Sequence, residues 1–360
     1  MQKAQRLATD APGFALAQLL YADLLTAQAQ PSSSFGAAAR EVAIAGRERL
    51  DELTDEARVR VQAASVMPPS GLVPPALVAL APNVKHAVAA DVARSRLYVF
   101  ENGSQGLSLI REYHASIGKN GMVKQVAGDQ RTSLGVYFVT KQIPSASLPA
   151  RYGQQALALN YSNPCDRLQG RSGDGIWLHR IPAGIYPRAL WATHSCIALA
   201  HHYFQEISAY IDVQATPIVV AERLEWVKPD ELTARHANFL GEFEKWQAAR
   251  KQNSAQARDA PYSTSVNLPE AEAEAEAEAE ALGPPWRDLL REEQQRRANR
   301  VNAQDSAPDN VYVVSWQDRD AVMVVTFTEA EPGEKRLRTR RQYWIQEPVG
   351  GRIFYQRSLA

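Results

Sequence analysis

A thiol and an imidazole stand seventeen positions apart in the middle of the chain, Cys196 and His179. A cysteine becomes a nucleophile as its thiolate, and a histidine within hydrogen-bonding reach is a common base for making one at neutral pH. His179 ends an apolar, strand-like run, Ile176-Trp177-Leu178, and Cys196 lies within Thr193-His194-Ser195-Cys196-Ile197. A loop that returns the chain from one to the other would bring base and thiol together. Spacing alone does not separate this from a buried, inert cysteine, because free cysteines are among the most buried residues. The second cysteine, Cys165, reads as a buried or loop thiol without a role, and two cysteines make no disulfide framework. His201 and His202 lack acidic neighbours at ligand spacing, so neither a metal nor another cofactor is implied.

The elements around the pair read as strands. His86 to Phe100 predicts two short strands about a turn, with Asn102-Gly103 as the next hairpin signal. Residues 107–117, 135–141, 156–159, 176–178 and 216–221 continue the pattern. One helix is predicted just after Cys196, with Leu199, Tyr203, Phe204, Ile207 and Tyr210 on one face.

Before this unit, residues 10–27 predict a helix with Asp10 as its cap, and 36–64 a second. Pro68, Pro69, Pro74 and Pro75 then end the helical pattern. That segment carries too little apolar surface for a core of its own and is expected to pack on the catalytic unit or on another subunit. After it, 224–251 predicts a single helix, 253–267 a polar linker, and 270–281 an unbroken Glu/Ala alternation read as a solvated helix or tether. A last unit from Pro284 predicts a helix over 286–302 and four strands near 311–316, 321–328, 335–346 and 352–357. Few contacts are expected to cross the tether to it.

Three stretches in order resemble the L,D-transpeptidase (YkuD-type) family. Gly128-Asp129-Gln130-Arg131-Thr132-Ser133-Leu134-Gly135-Val136-Tyr137 is similar to its G-D-x-R-T-P-x-G-x-Y run. Tyr152-Gly153 and Asn160-Tyr161-Ser162-Asn163-Pro164-Cys165-Asp166-Arg167 resemble further landmarks, and Trp177-Leu178-His179 with Thr193-His194-Ser195-Cys196 resembles the catalytic signature. The resemblance implies an α+β fold. A β-rich L,D-transpeptidase catalytic domain (83–222) would be flanked by an N-terminal helical segment (1–82) and a C-terminal nuclear transport factor 2-like domain (223–360) with a low-complexity insertion at 253–283. The last likeness rests on pattern and on Arg341-Gln342-Tyr343-Trp344. This layout resembles that of cell-shape L,D-carboxypeptidases.

The resemblance also implies roles. Cys196 would attack the carbonyl of the L-centre of diaminopimelate in a peptidoglycan stem peptide, with His179 as base. His194, Arg188, Tyr152 and Ser195 would line the substrate cleft, while Asp129 and Arg131 would fix a turn beside it. Transfer to an amine makes an L,D-transpeptidase; transfer to water makes an L,D-carboxypeptidase. A non-catalytic peptidoglycan-binding protein is the alternative from another class. Two positions depart from the family pattern: Ser195 stands where it usually has Gly, and Arg180 where it has Gly or Ser. A glycine before a nucleophile supplies either positive φ or clearance. Ser195 is therefore expected to be strained or to crowd the acyl site.

Charge narrows the partners. Lys+Arg and Asp+Glu both number 40, so bulk electrostatics favours neither nucleic acid nor an anionic membrane. No run of eighteen apolar residues occurs, so no span of a bilayer is expected. The first 25 residues lack the apolar core of a signal peptide, so the export signal expected for a periplasmic protein is not visible in them. A homodimer through the N-terminal helices or the C-terminal unit is a further expectation.

Overall fold

The structure, a computed structural model, describes residues 1–29, 51–61, 68–251 and 309–359, apart from 13, 52, 59, 150–151, 153–154, 174, 183–190, 318–320, 331–336 and 348–349. Nine strands make the central sheet: β1 (His86–Asp91), β2 (Arg96–Gly103), β3 (Gly106–Gly118), β4 (Gly135–Ile143), β5 (Ala156–Leu159), β6 (Trp177–Arg180), β7 (Trp191–Thr193), β8 (Ile197–Leu199) and β9 (Pro217–Ala221). Their order is β2-β1-β9-β4-β5-β6-β8-β3-β7, and β2 also pairs with β3, so the sheet closes into a barrel. Helix α3 (Pro164–Leu168) follows β5, and α4 (His201–Ser208) follows β8.

The strands read as continuous apolar runs because both faces are covered. Alternation along each strand divides its residues between two cores. Val88, Ala90, Leu97, Val99, Tyr137, Val139, Ile218 and Val220 point into the barrel. Ala87, Ala89, Tyr98, Phe100, Val136, Phe138 and Val219 point outward, against Tyr312, Val314, Val322, Val324 and Tyr343. Those partners belong to a second, antiparallel sheet of β10 (Asp309–Gln317), β11 (Ala321–Ala330), β12 (Leu337–Glu347) and β13 (Gly350–Ser358), in that order. Its other face buries Val313, Met323, Val325, Phe327 and Trp344 against Phe239, Phe243 and Trp246. These three aromatics lie on α6 (Ala237–Lys251), which follows the short α5 (Pro229–Arg235). The molecule is thus layered as barrel, sheet and helix.

This layering corrects the expectation that few contacts reach the last unit. The apolar alternation of β1, β2, β4 and β9 demands a cover on the outer face, and the C-terminal sheet shares that role with Leu77, Ala81, Leu224 and Trp226. Arg341 clamps the two. Its side chain, 2% exposed, lies over the Phe138 ring at 3.2 Å to the centroid. It donates to the Gln214 carbonyl at 2.7 Å and to Thr326 Oγ1 at 3.0 Å. Tyr312 adds a bond from its hydroxyl to the Ala215 carbonyl at 2.9 Å.

The four C-terminal strands lie close to where the pattern puts them. Among the described residues they form, with α6, an open four-stranded sheet under one helix, and no distinct nuclear transport factor 2-like fold is seen in them. The helix expected over 286–302, the polar linker and the Glu/Ala repeat fall outside the described residues. The helix expected over 224–251 is two helices, meeting at His236. At the N-terminus, Asp10 closes α1 (Gln2–Asp10) instead of capping α2 (Ala15–Ala29). Ala11, Phe14, Leu16, Ala17, Leu19 and Leu53 make a small core there. Arg60 joins this segment to the barrel, lying over Phe14 at 5.5 Å and reaching His114 Nε2 on β3 at 3.0 Å. Among the described residues no helix is long and apolar enough to cross a membrane.

Candidate active site

Strands β6 and β8 run parallel, with Leu178 opposite Ile197 and His179 opposite Ala198. Carried back one residue, this register sets Trp177 opposite Cys196, so His179 and Cys196 are diagonal neighbours on one face of the sheet. Both are buried, at 2% and 7% exposure. His179 Nδ1 lies 2.9 Å from the Arg180 carbonyl. A carbonyl can only accept, so Nδ1 carries the proton of the neutral ring and Nε2 carries the lone pair. Tyr152 stands edge-on to the imidazole, with ring centroids 5.0 Å apart at 88°, and packs on Trp177 at 4.9 Å. That cage fixes the ring plane.

Arg180, the departure next to the histidine, does not enter the site. Alternation along β6 turns its side chain to the opposite face, where Nη1 meets His201 Nδ1 at 2.8 Å.

Ser195, the departure next to the cysteine, has φ 123°. Side chains rarely adopt that backbone, and residues held there cost about 1–3 kcal/mol. The strain branch of the sequence expectation is therefore the one observed. Three neighbours hold the residue. Thr132 Oγ1 donates to its carbonyl at 2.9 Å, Lys124 Nζ donates to its Oγ at 3.3 Å, and its own N–H donates to Thr193 Oγ1 at 3.3 Å. Thr193 in turn donates to the Cys196 carbonyl at 2.6 Å.

Thr132 reaches this position because its loop runs tightly against β3. A Cβ on Gly118 would come within 2.5 Å of the Gln130 carbonyl oxygen, so glycine is required there. The Gly118 N–H donates to Thr132 Oγ1 at 2.8 Å. Asp129 fixes the same loop by accepting from the N–H groups of Gln125 (2.7 Å), Val126 (3.2 Å) and Arg131 (3.0 Å), and from Lys124 Nζ (3.0 Å). Burial raises its carboxyl, but these bonds together hold it below its ordinary value. Arg131 itself is exposed and donates to the Met122 carbonyl at 3.2 Å.

A second buried polar cluster backs the first. Asp166 accepts from the Asn163 N–H (2.9 Å), Tyr137 hydroxyl (3.0 Å) and Ser133 hydroxyl (3.3 Å). Asn163 and Asp166 also form the capping box of α3. Burial pushes the Asp166 carboxyl up to about 6, against those hydrogen bonds and the Arg171 charge. Its folded pKa thus exceeds the unfolded one, so the folded state holds the extra proton between about pH 4 and 6. Stability from this group is full below that window and falls by about 3 kcal/mol as pH rises through it. Urea unfolding from pH 4 to 7 should show that decline in the unmodified protein and a flatter profile in Asp166→Asn. Parallel profiles would contradict the assignment.

The structure thus brings Cys196, His179, Tyr152 and Ser195 together. His194 sits exposed on the bend just before Ser195. Arg188 lies in residues 183–190, outside the described residues. The sequence reading missed Lys124, the hydroxyl roles of Thr132 and Thr193, and the Trp177–Tyr152 stack. The threonines were visible inside the quoted motifs, whereas nothing in residue type or spacing marked Lys124.

Residues 85–220 match the family model described as YkuD, L,D-transpeptidase catalytic domain. No curated protein matches the chain. Among solved structures, Bd1075 of Bdellovibrio bacteriovorus is similar at TM-score 0.59 and 21% identity, over 80% of this chain and 98% of that one. The helical cell shape determining protein Pgp2 of Campylobacter jejuni is similar at TM-score 0.57 and 15% identity, over 84% of this chain and 99% of that one. At such identities the likeness is one of fold, and it extends beyond the barrel. The match to the YkuD model spans the barrel, from β1 to β9, and it is that unit which is similar to an L,D-transpeptidase catalytic domain.

Proposed function

We propose that the protein is a cysteine-dependent L,D-carboxypeptidase that trims peptidoglycan tetrapeptide stems to tripeptides at the cell envelope, in cell-wall remodelling linked to cell shape. What supports hydrolysis over transfer is the likeness to the helical cell shape determining protein Pgp2 over nearly its whole length, together with the resemblance of the domain layout to cell-shape L,D-carboxypeptidases. In this reading His179 Nε2 takes the Cys196 proton, and the thiolate attacks the carbonyl of the diaminopimelate L-centre. The tetrahedral intermediate collapses, the imidazolium gives its proton to the leaving D-alanine amine, and a thioester remains. Water, deprotonated by the same imidazole, then cleaves the thioester and restores the thiol. Backbone N–H groups near Cys196, its own included, are assigned as oxyanion donors, while the Ser195 N–H donates to Thr193 Oγ1. His194, Tyr152 and Arg188 are assigned to the substrate cleft.

L,D-transpeptidation is the second reading, favoured by the family model itself. Incubation with disaccharide tetrapeptide, read by mass spectrometry, separates the two. Disaccharide tripeptide plus free D-alanine is the expected product. Cross-linked dimer as main product would establish transfer, and no product with no thioester would leave a binding protein.

A further inference from the structure

Lys124 is among the largest fully buried side chains, and it carries a charge. Taking an ammonium out of water is strongly unfavourable unless its donors are met. All three are met here: by Asp129 Oδ1 at 3.0 Å, the Val126 carbonyl at 2.9 Å and Ser195 Oγ at 3.3 Å. The Tyr161 ring adds a face 6.0 Å away. Two of these partners lie within five residues of the lysine and would hold it in any such loop. Ser195 does not: it lies 71 residues on in the chain, beside Cys196, with its backbone at φ 123°.

Resting on the reading of Cys196 as nucleophile, we propose that Lys124 is a positioning residue for it. The ammonium grips Ser195 Oγ and holds in place the strained peptide from which Cys196 is presented. Glycine would adopt this backbone freely and would need no such grip. Serine at this position makes the lysine necessary, so the two residues act as a unit. Lys124 moves no proton in this role, because all three of its N–H groups are engaged as donors and Asp129 balances its charge.

Two residues acting as a unit should show coupling in a double-mutant cycle. The cycle consists of Lys124→Met, Ser195→Gly and the pair, each read twice. One readout is turnover of disaccharide tetrapeptide, and the other is the rate at which iodoacetamide alkylates Cys196, followed on its own peptide by mass. With Ser195 present, Lys124→Met should lower both rates at least about tenfold with KM little changed; in the Ser195→Gly background the loss should stay under about threefold. Lys124→Arg, which keeps the charged donor, should restore part of the rate. Equal losses in the two backgrounds, or no loss with Ser195 present, overturn the proposal. If Lys124→Met does not fold, Ser195→Ala carries the same test, since it keeps the strained backbone and removes the acceptor. An unchanged alkylation rate in that variant would equally overturn the proposal. If the unmodified protein turns over no substrate, the nucleophile reading fails, and the coupling in alkylation still decides the role of Lys124.

Discussion

Cys196→Ala is expected to lower turnover of disaccharide tetrapeptide by about 10⁴-fold or more, to the limit of detection, because no other group can form the thioester. The fold should survive. The exchange removes one sulfur from a buried site, and a loss of that size costs on the order of 1 kcal/mol. Circular dichroism and a thermal midpoint within a few degrees of the unmodified protein would confirm that only the chemistry is lost. His179→Ala should be comparably inactive at pH 7 and partly recover at alkaline pH, where hydroxide takes the thiol proton. Product formation by Cys196→Ala would remove Cys196 from the mechanism, whatever the histidine variant does.

The pair was legible in the sequence because type and order both mark it. The histidine closing an apolar run lies on β6 and the cysteine of the Thr-His-Ser-Cys stretch just before β8, its parallel neighbour; their roles belong to the proposed function. The strands of the barrel were legible for a similar reason, since β-branched and aromatic runs such as Gly135 to Thr140 have few other uses. Two of the short strands, β7 and β8, were not. They flank Cys196 and take their pairing from β3 and β6, which are distant in sequence. Lys124 was illegible because its role depends on a tertiary contact with Ser195. The strain at Ser195 was half legible: the residue stood out, but only the backbone angle chose strain over crowding. The cover on the outer face was misread. The tether hid the fact that Val136 and Phe138 find their partner beyond it.

That partner sets the second large effect. Deletion of everything after Lys251 should fail to give a stable, soluble catalytic domain. It would strip Val136 and Phe138 of their cover, remove Arg341 from the Phe138 ring, and leave Phe239, Phe243 and Trp246 facing water. Fully burying one such side chain contributes roughly 1.5–3 kcal/mol, so several together rival the 5–15 kcal/mol by which whole domains are stable. Size-exclusion chromatography and thermal unfolding of the truncated chain would decide it. A monomeric truncation melting within about 5 °C of the full chain, a shift worth roughly 2 kcal/mol at this size, would show that the sheet is dispensable. Arg341→Ala is the milder version and should lower stability by about 2–4 kcal/mol, since it leaves the Gln214 carbonyl without its charged donor.

The closure of the barrel also orders events in time. Strand β1 finds one partner at once in β2, by a local hairpin, but its other edge pairs with β9. During synthesis that edge stays open from residue 91 until residue 217 has emerged, and the outer face around Val136 and Phe138 stays bare until β10 to β12 follow. A ribosome extending this chain therefore displays an unpaired strand edge and an uncovered aromatic surface in succession, the two features that invite misassociation before folding is complete. Cys196 emerges within the first of those waits, before the strand that closes the barrel has been made.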